Sequence, residues 1–365
     1  MPPTPPAFPT EPTPTERPRL QTRRGLAVEL PLFLPVYDRR GSLVPIDGWD
    51  ETFGVEGCIC NAFFLYKDRA LRRRIRDEGT TLDQLLGYDG FLMTDSGAFQ
   101  GFSGKLYLKN KKIVAFQDAL RADVISPLDL VTPPGDKRTD ATWKLERTLE
   151  RIAEAKPLAQ HAILAGVQQG GRFHDLRTRS LDGLLEIGIE YLALGSLVPF
   201  FNRNHDLGFV GRVTREARRA VGEALPIHIY GAGDPVELPF FYALGADIFD
   251  SASYGHYAQG GWYMTPWGAV RREQLHLLAD APSCASPFSA DGPAALFDAA
   301  EAGDPEGLAC HNLWTILDTV RRLRRLGRTA DLEAHLDRVL ARHQAWFPDS
   351  ELESSWRRLN EQSRD

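Results

Sequence analysis

Three aspartates, each following a short apolar run, are the first residues in this chain able to do chemistry. Asp95 follows Gly90-Phe91-Leu92-Met93-Thr94, Asp129 follows Asp123-Val124-Ile125-Ser126-Pro127-Leu128, and Asp250 follows Asp247-Ile248-Phe249. Three further runs end in amides or glycines: Gln168-Gln169-Gly170-Gly171 after Val167, Gly195-Ser196 after Leu194, and Gly231-Ala232-Gly233-Asp234 after Tyr230. One aspartate alone is most simply a helix N-cap, and one glycine a turn former. Together these endings make a mouth with several carboxylates and backbone donors. Such a mouth suits a flat heteroaromatic ligand rich in N–H groups, of which guanine is one. Asp129 would accept from ring N–H and amine groups, Gln169 would bridge to a carbonyl, and Gly195 would offer its backbone N–H. Asp95 and Asp250 then divide into nucleophile and general acid/base, the two-carboxylate logic of attack at a sugar C1. Asp247 reads as structural.

The elements that hold these endings alternate between strand and helix. Strand-like runs at 90–94, 123–128, 161–167, 191–194, 226–230 and 247–249 are separated by helical patterns. The helices are expected over 113–121, 139–155, 173–187, 207–224 and 235–244. The recurrence predicts an α/β fold with a parallel sheet, specifically a (β/α)8 TIM barrel, in which residues just after each strand line the active face. Earlier strands are expected at Leu30–Val36, whose prolines suit an edge, and at Gly57–Phe64. Residues 1–24 are proline-rich and polar and read as a disordered tail. The catalytic barrel is assigned to 25–280, and 281–365 to a Gly/Pro-rich segment followed by C-terminal helices at 312–326 and 330–344.

Of 365 residues, 43% are hydrophobic and 25% charged, as in a folded chain with a large core, and the formal charge is -6. No global basic field is present, so contact with a polynucleotide must rely on local patches. Four scattered cysteines fit a reducing compartment, and neither a membrane span nor a signal peptide is apparent. A cytoplasmic location is expected, with no membrane partner.

Eight stretches, in order, give the chain a resemblance to a known family. They are DSGAFQ (95–100), PLDLVTPP (127–134), GVQQGG (166–171), ALGSLVP (193–199), YGAGDP (230–235), GADIFDSASY (245–254), YMTPWG (263–268) and HNLW (311–314). The sequence resembles the tRNA-guanine transglycosylases over roughly residues 25 to 327, and SASY, YMTP and HNLW are most similar to the archaeal branch. The resemblance implies a (β/α)8 barrel that exchanges guanine in a polynucleotide for a 7-deazaguanine without ATP. It implies Asp250 as the nucleophile at C1′ and Asp95 as the acid/base. Asp129, Gln169 and Gly195 match base-binding positions, and Ser96 would share their pocket. Ser196 stands where many members have a second glycine, and Asp234 where a histidine is common.

The resemblance breaks at the metal site. The family carries C-x-C-x-x-C and a later histidine around a structural zinc. Here the segment reads Cys284-Ala285-Ser286-Pro287-Phe288-Ser289, with His311 downstream. Hydroxyls stay protonated and are poor zinc ligands, so Cys284 and His311 are expected to be a remnant without tightly bound zinc. The loss of zinc and the lack of length for an RNA-binding module lean toward DNA as substrate and preQ0 as incoming base, as in the DpdA-type relatives. The alternatives are tRNA, a non-catalytic partner subunit, and an ordinary glycosidase barrel. The family's dimer and a companion ATPase that opens DNA are the further partners this reading admits. For phosphate contact the candidates are Arg72–Arg74, Lys105–Lys112 and, first, Arg321–Arg328.

Overall fold

The computed structural model describes residues 18–47, 49–98, 108–202, 206–281 and 286–361. Its first strands, β1 (Arg19–Gln21) and β2 (Ala27–Glu29), pair antiparallel as a hairpin. Nine parallel strands follow. They are β3 (Leu32–Tyr37), β4 (Gly57–Asn61), β5 (Phe91–Asp95), β6 (Val124–Ile125), β7 (Ile163–Leu164), β8 (Gly166–Gln168), β9 (Leu192–Leu194), β10 (Ile227–Ile229) and β11 (Ile248–Ser251). They run in the order β7-β6-β5-β4-β3-β11-β10-β9-β8. The two terminal members are consecutive in the chain, with only Ala165 between them. Its N–H bonds Ile125 O at 2.9 Å, and the next N–H, of Gly166, bonds Tyr191 O at 2.8 Å. One stretch therefore serves two neighbours and closes the ring, giving the expected (β/α)8 barrel.

The helices wrap the outside in chain order. Short α1 (Ala62–Lys67), α2 (Arg69–Glu78) and α3 (Leu82–Leu86) precede α4 (Asn110–Ala119), α5 (Arg138–Ala155) and α6 (His174–Ile187). Then come α7 (Val198–Asn202), α8 (Leu207–Val221), α9 (Leu238–Ala243) and α10 (Ser253–Gln259). The C-terminal extension is helical: α11 (Pro293–Glu301), α12 (Glu306–Leu326), α13 (Ala330–Trp346) and α14 (Leu352–Glu361). It packs back on the barrel, with Trp356 of α14 edge-on to Phe240 of α9 at 6.0 Å.

Several expectations change. The strand expected through Phe64 stops at Asn61, whose side chain accepts from Phe63 N at 3.1 Å and Phe64 N at 3.4 Å and so starts α1. Leu30–Val36 is no edge: β3 pairs with β11 on one side and β4 on the other, because a closed barrel has no edge. On α5 the buried stripe is Ala141, Leu145, Thr148 and Ile152, and Trp143 is 59% exposed.

The structured chain also begins before Gly25. Leu20, Val28 and Leu30 belong to the same apolar cluster as the barrel-interior residues Leu32, Phe91 and Ile248, so the β1–β2 hairpin plugs the barrel floor. Arg24 clamps it there, reaching Asp123 at 2.6 Å and Gly90 O at 2.9 Å, while Arg23 reaches Ala159 O at 2.9 Å and Glu190 at 2.6 Å. A polar, proline-rich context hides a hairpin whose few apolar residues are buried by the barrel rather than by each other.

The floor also claims the arginines first chosen for phosphate. Arg321 donates to Phe53 O at 2.9 Å, Arg324 to Pro31 O at 2.8 Å and Glu56 at 2.5 Å, and Arg328 to Ala246 O at 2.8 Å and Asp247 at 2.7 Å. They hold α12 to the starts of strands, away from the mouth. Among the described residues, no helix is long and apolar enough to cross a membrane.

Candidate active site

Alternate residues of each strand point into the barrel, and their character changes with height. On β5 the inward series is Phe91, Met93, Asp95; on β11 it is Ile248, Asp250; on β4 it is Ile59, Asn61. Apolar side chains fill the lower layers, and the top layer is polar. Asp95 and Asp250 therefore reach the mouth one pleat above a buried apolar residue, whereas Asp129 reaches it from the loop after β6, a strand that ends at Ile125 and not at the expected Leu128. Asp95, Asp129 and Asp250 line a common cavity of about 210 Å³, together with Asn61, Tyr230 and Gly195. That is room for a purine-sized ligand.

Asp250 sits on the wall of this cavity and is 8% exposed. Its Oδ1 accepts from Gly231 N–H at 3.2 Å and lies 2.8 Å from His228 Nε2. The latter is a close polar contact and not an aligned hydrogen bond. Behind it, His228 Nδ1 and the Tyr191 hydroxyl share a hydrogen bond of 2.8 Å. Both residues are fully buried below the mouth. Asp250 thus has one side backed by a buried polar chain and the other open to the cavity.

Asp95 is held by Asn61, whose Nδ2 donates to Oδ2 at 3.1 Å. Desolvation, followed by the charge of Asp129, pushes its carboxyl up to about 7, against smaller lowering by the Gly97 and Ser96 N–H groups. A carboxyl tuned there exchanges protons readily at neutral pH. Asp129 is likewise raised by desolvation, to about 6, partly offset by its bond from Gln169. Gln169 Nε2 donates to Asp129 Oδ2 at 2.6 Å, Gln169 Oε1 accepts from Ser196 Oγ at 2.6 Å, and Ser196 Oγ accepts from Thr132 N at 2.8 Å. One cooperative chain thus fixes the orientation of both Asp129 and Gln169.

Two expected contacts are placed differently. The Gly195 N–H is not free, because it donates to Gln168 O at 3.1 Å within the sheet. Glycine is required there for space: a Cβ would lie 2.7 Å from Gln169 Nε2 and 2.8 Å from Val167. Ser96 is buried with its Oγ unpartnered and does not line the cavity with Asp95. Ser196 takes φ +58°, the left-handed region that favours glycine, and its two hydroxyl bonds compensate.

His228, Tyr191 and Asn61 escaped the sequence reading because they sit inside runs that look uniformly strand-like. The alternation Ile227, His228, Ile229, Tyr230 was the available signal, since a histidine and a tyrosine at inward positions of a barrel strand require polar partners. Arg177 was also missed. It is buried beneath the mouth and donates to Gly171 O at 3.0 Å and Gly195 O at 2.8 Å, fixing two mouth loops.

Of the zinc-like segment, Cys284 lies outside the described residues. Ser286 Oγ accepts from Phe288 N at 3.3 Å, and Ser289 Oγ donates to Ser286 O at 3.1 Å, so both hydroxyls serve a local turn. Burial pushes the Cys310 thiol up to about 11 and lowers His311 to about 4. His311 Nε2 pairs with Met264 O at 2.9 Å, its ring stacks on Tyr263 at 3.8 Å, and Nδ1 is buried without a partner. Among the described residues no three histidine, cysteine or acidic side chains converge to hold a metal. The described part of the set, one imidazole and two engaged hydroxyls, does not fit a tetrahedral zinc site.

Comparison with known proteins places this geometry. A family model described as queuine tRNA-ribosyltransferase matches residues 16–345. The tRNA-guanine(15) transglycosylase of Haloarcula marismortui is 34% identical over 318 residues, covering 86% of this chain and 64% of that protein. That of Pyrococcus furiosus is 32% identical over 321 residues, with 87% and 53% covered. That of Methanopyrus kandleri is 35% identical over 263 residues, with 71% and 56% covered. The chain thus spans between 53% and 64% of the length of these relatives.

Proposed function

The chain belongs to the queuine tRNA-ribosyltransferase (tRNA-guanine transglycosylase) family, and from that premise we propose that it exchanges guanine in a polynucleotide for a 7-deazaguanine base. One observation carries the reading: Asp95 and Asp250 line a single purine-sized cavity together with Asp129, which Gln169 orients. Asp250 attacks C1′ of the extruded nucleotide. The C1′–N9 bond breaks with its electron pair going to guanine, which takes a proton from Asp95. The sugar remains esterified to Asp250 while guanine leaves. The incoming base then gives its ring N–H proton to Asp95, its nitrogen bonds to C1′, and Asp250 departs. Bond is traded for bond, so no ATP is consumed. Asp129 reads the N–H edge of the base. With the Gly195 N–H occupied, the Ser196 N–H serves as the nearby backbone donor.

The relatives act, by their names, on tRNA guanine 15, and tRNA is accordingly the first substrate to test. DNA is the second reading, supported by the serines that stand where the tRNA enzymes have zinc thiolates. Incubation with labelled guanine, or with preQ0, and either tRNA or plasmid DNA distinguishes them. Incorporation into tRNA alone removes the DNA reading, and incorporation into DNA alone removes the tRNA reading. A companion ATPase belongs in the DNA arm, because duplex strands must open before a base can be extruded. Asp250→Asn should abolish labelling while the protein stays folded; retained labelling would exclude the covalent route. The chain carries no tightly bound zinc in this proposal, and one equivalent of zinc in purified protein would contradict it.

A further inference from the structure

Beside the base cavity, on the side of β3 and β4, lies a second cleft of about 160 Å³ lined by Arg39, Arg40, Phe64 and Asp68. Cys60 and Asn61 line both spaces, so the two are contiguous. The segment 62–78 that walls this side, α1 and α2, holds six cations against three acids in a chain whose net charge is -6. The cations are interleaved with rings: Arg40 lies 3.3 Å over Phe64, Lys67 4.4 Å over Phe63 and Arg72 4.6 Å over Tyr66. Asp68 is committed to capping α2, accepting from Ala70 N at 2.9 Å and Leu71 N at 3.0 Å, and Asp38 is committed to Arg40. Arg39, Lys67, Arg69, Arg72 and Arg73 have no carboxylate partner among the described residues. The flank over β10 is the reverse. Its larger cavity, about 670 Å³, is lined by Asp234, Asp349 and Glu351, together with Glu237, whose carboxyl is held toward the neutral form by burial and the charge of Asp234.

We propose that the Arg39–Arg40 turn and the α1–α2 face bind the sugar–phosphate backbone next to the nucleotide whose base enters the cavity. The inference rests on the polynucleotide reading above and assigns that substrate a direction across the mouth. Unpaired cations on aromatic platforms are the surface that tracks a single-stranded segment, with phosphates on the guanidinium groups and exposed bases on the rings. The acidic flank repels the same backbone, so only one orientation places a phosphate in the cleft while its base lies between Asp95 and Asp250. Arg322 and Arg325 are equally exposed cations, on α12 at the floor, and play no part in this contact.

The test is binding of an unmodified tRNA transcript and of a DNA duplex across a salt series, with exchange kinetics in parallel. It compares wild type, an Arg39→Glu/Arg69→Glu/Arg73→Glu variant, the milder Arg39→Ala, and an Arg322→Glu/Arg325→Glu control. Each lost phosphate contact should make the dependence of log affinity on log salt shallower by about 0.7–0.9. The triple variant should therefore lose about 2 from the slope and at least about tenfold in affinity at fixed salt. KM for polynucleotide should rise in step, with KM for the free base and kcat at saturating polynucleotide unchanged, and the control should match wild type. A folded triple variant with the wild-type slope overturns the proposal, as does a control that weakens equally. If the triple variant fails to fold, Arg39→Ala decides by the same slope. Wild type that binds neither nucleic acid overturns the polynucleotide reading and this one with it, before any variant is compared.

Discussion

Asp247 and Asp250 stand at opposite ends of one short strand and show what the barrel does with the same side chain at its floor and at its mouth. Asp247 is neutralised from all sides, by Arg218, by Arg328 at 2.7 Å and by the Ile227 N–H at 2.8 Å. Asp250 has one backbone N–H and a buried histidine behind it, and otherwise faces the cavity. The floor invests its charges in closing the ring, with Arg24 on Asp123 and Arg324 on Glu56 repeating the pattern. The mouth's carboxylates have no arginine or lysine ion pair among the described residues and are met by amides and backbone N–H groups. A carboxylate's role here follows from the height of its pleat.

The largest effects test that contrast directly. Asp250→Asn should lower exchange by about a thousandfold or more with an unchanged melting temperature. Asp247→Asn should do the opposite, costing about 3–5 kcal/mol of stability by stranding two arginines, with normal kcat in the fraction that folds. Chemical denaturation beside single-turnover kinetics separates the two, and a stable Asp247 variant with poor chemistry would break the contrast. Next in size is the buried support of the mouth. Tyr191→Phe leaves His228 without its partner and should reduce kcat about tenfold with KM for the free base preserved.

Smaller, and signed by pH, is Asp95. Its folded-state carboxyl is raised to about 7, so its contribution to stability is present below the unfolded value near 4 and is lost as pH rises through 7. Asp95→Asn removes that loss. The variant should be more stable than wild type at pH 8, by on the order of 1–3 kcal/mol, and no more stable at pH 4. Urea melts at the two pH values check it. Smallest is Ser196→Gly, which relieves the left-handed backbone but frees Gln169, and should change stability by under about 1 kcal/mol while raising KM for the base a few-fold.

The strand endings were legible because a barrel strand has period two and its last inward residue is forced into the mouth. Asp95 and Asp250 follow from that, while Asp129 stands in the loop past β6, which ends at Ile125. His228 and Tyr191 were not, because a polar side chain below the mouth is satisfied only by another strand, and cross-strand partners leave no mark in a single sequence. The arginines of α12 misled for the same reason. On their own helix they look like a solvated face, and their acceptors at Pro31, Glu56 and Asp247 are remote in sequence. Gly195 lines the cavity, but not with the free N–H expected of it: that N–H belongs to the sheet, and the glycine leaves volume that a Cβ would fill.

The hairpin that plugs the floor has a kinetic consequence. With Leu20, Val28 and Leu30 stoppering the lower end, the described residues leave the cavity open at the mouth, where the nucleic acid of the proposed exchange would stand throughout the covalent stage. In that proposed exchange, outgoing guanine and incoming deazaguanine would take turns at the threshold, and the two half-reactions would alternate. Free guanine should then act as a competitor of the new base and as a trap that returns the attached sugar to its starting state, making net replacement depend on the ratio of the two bases in solution.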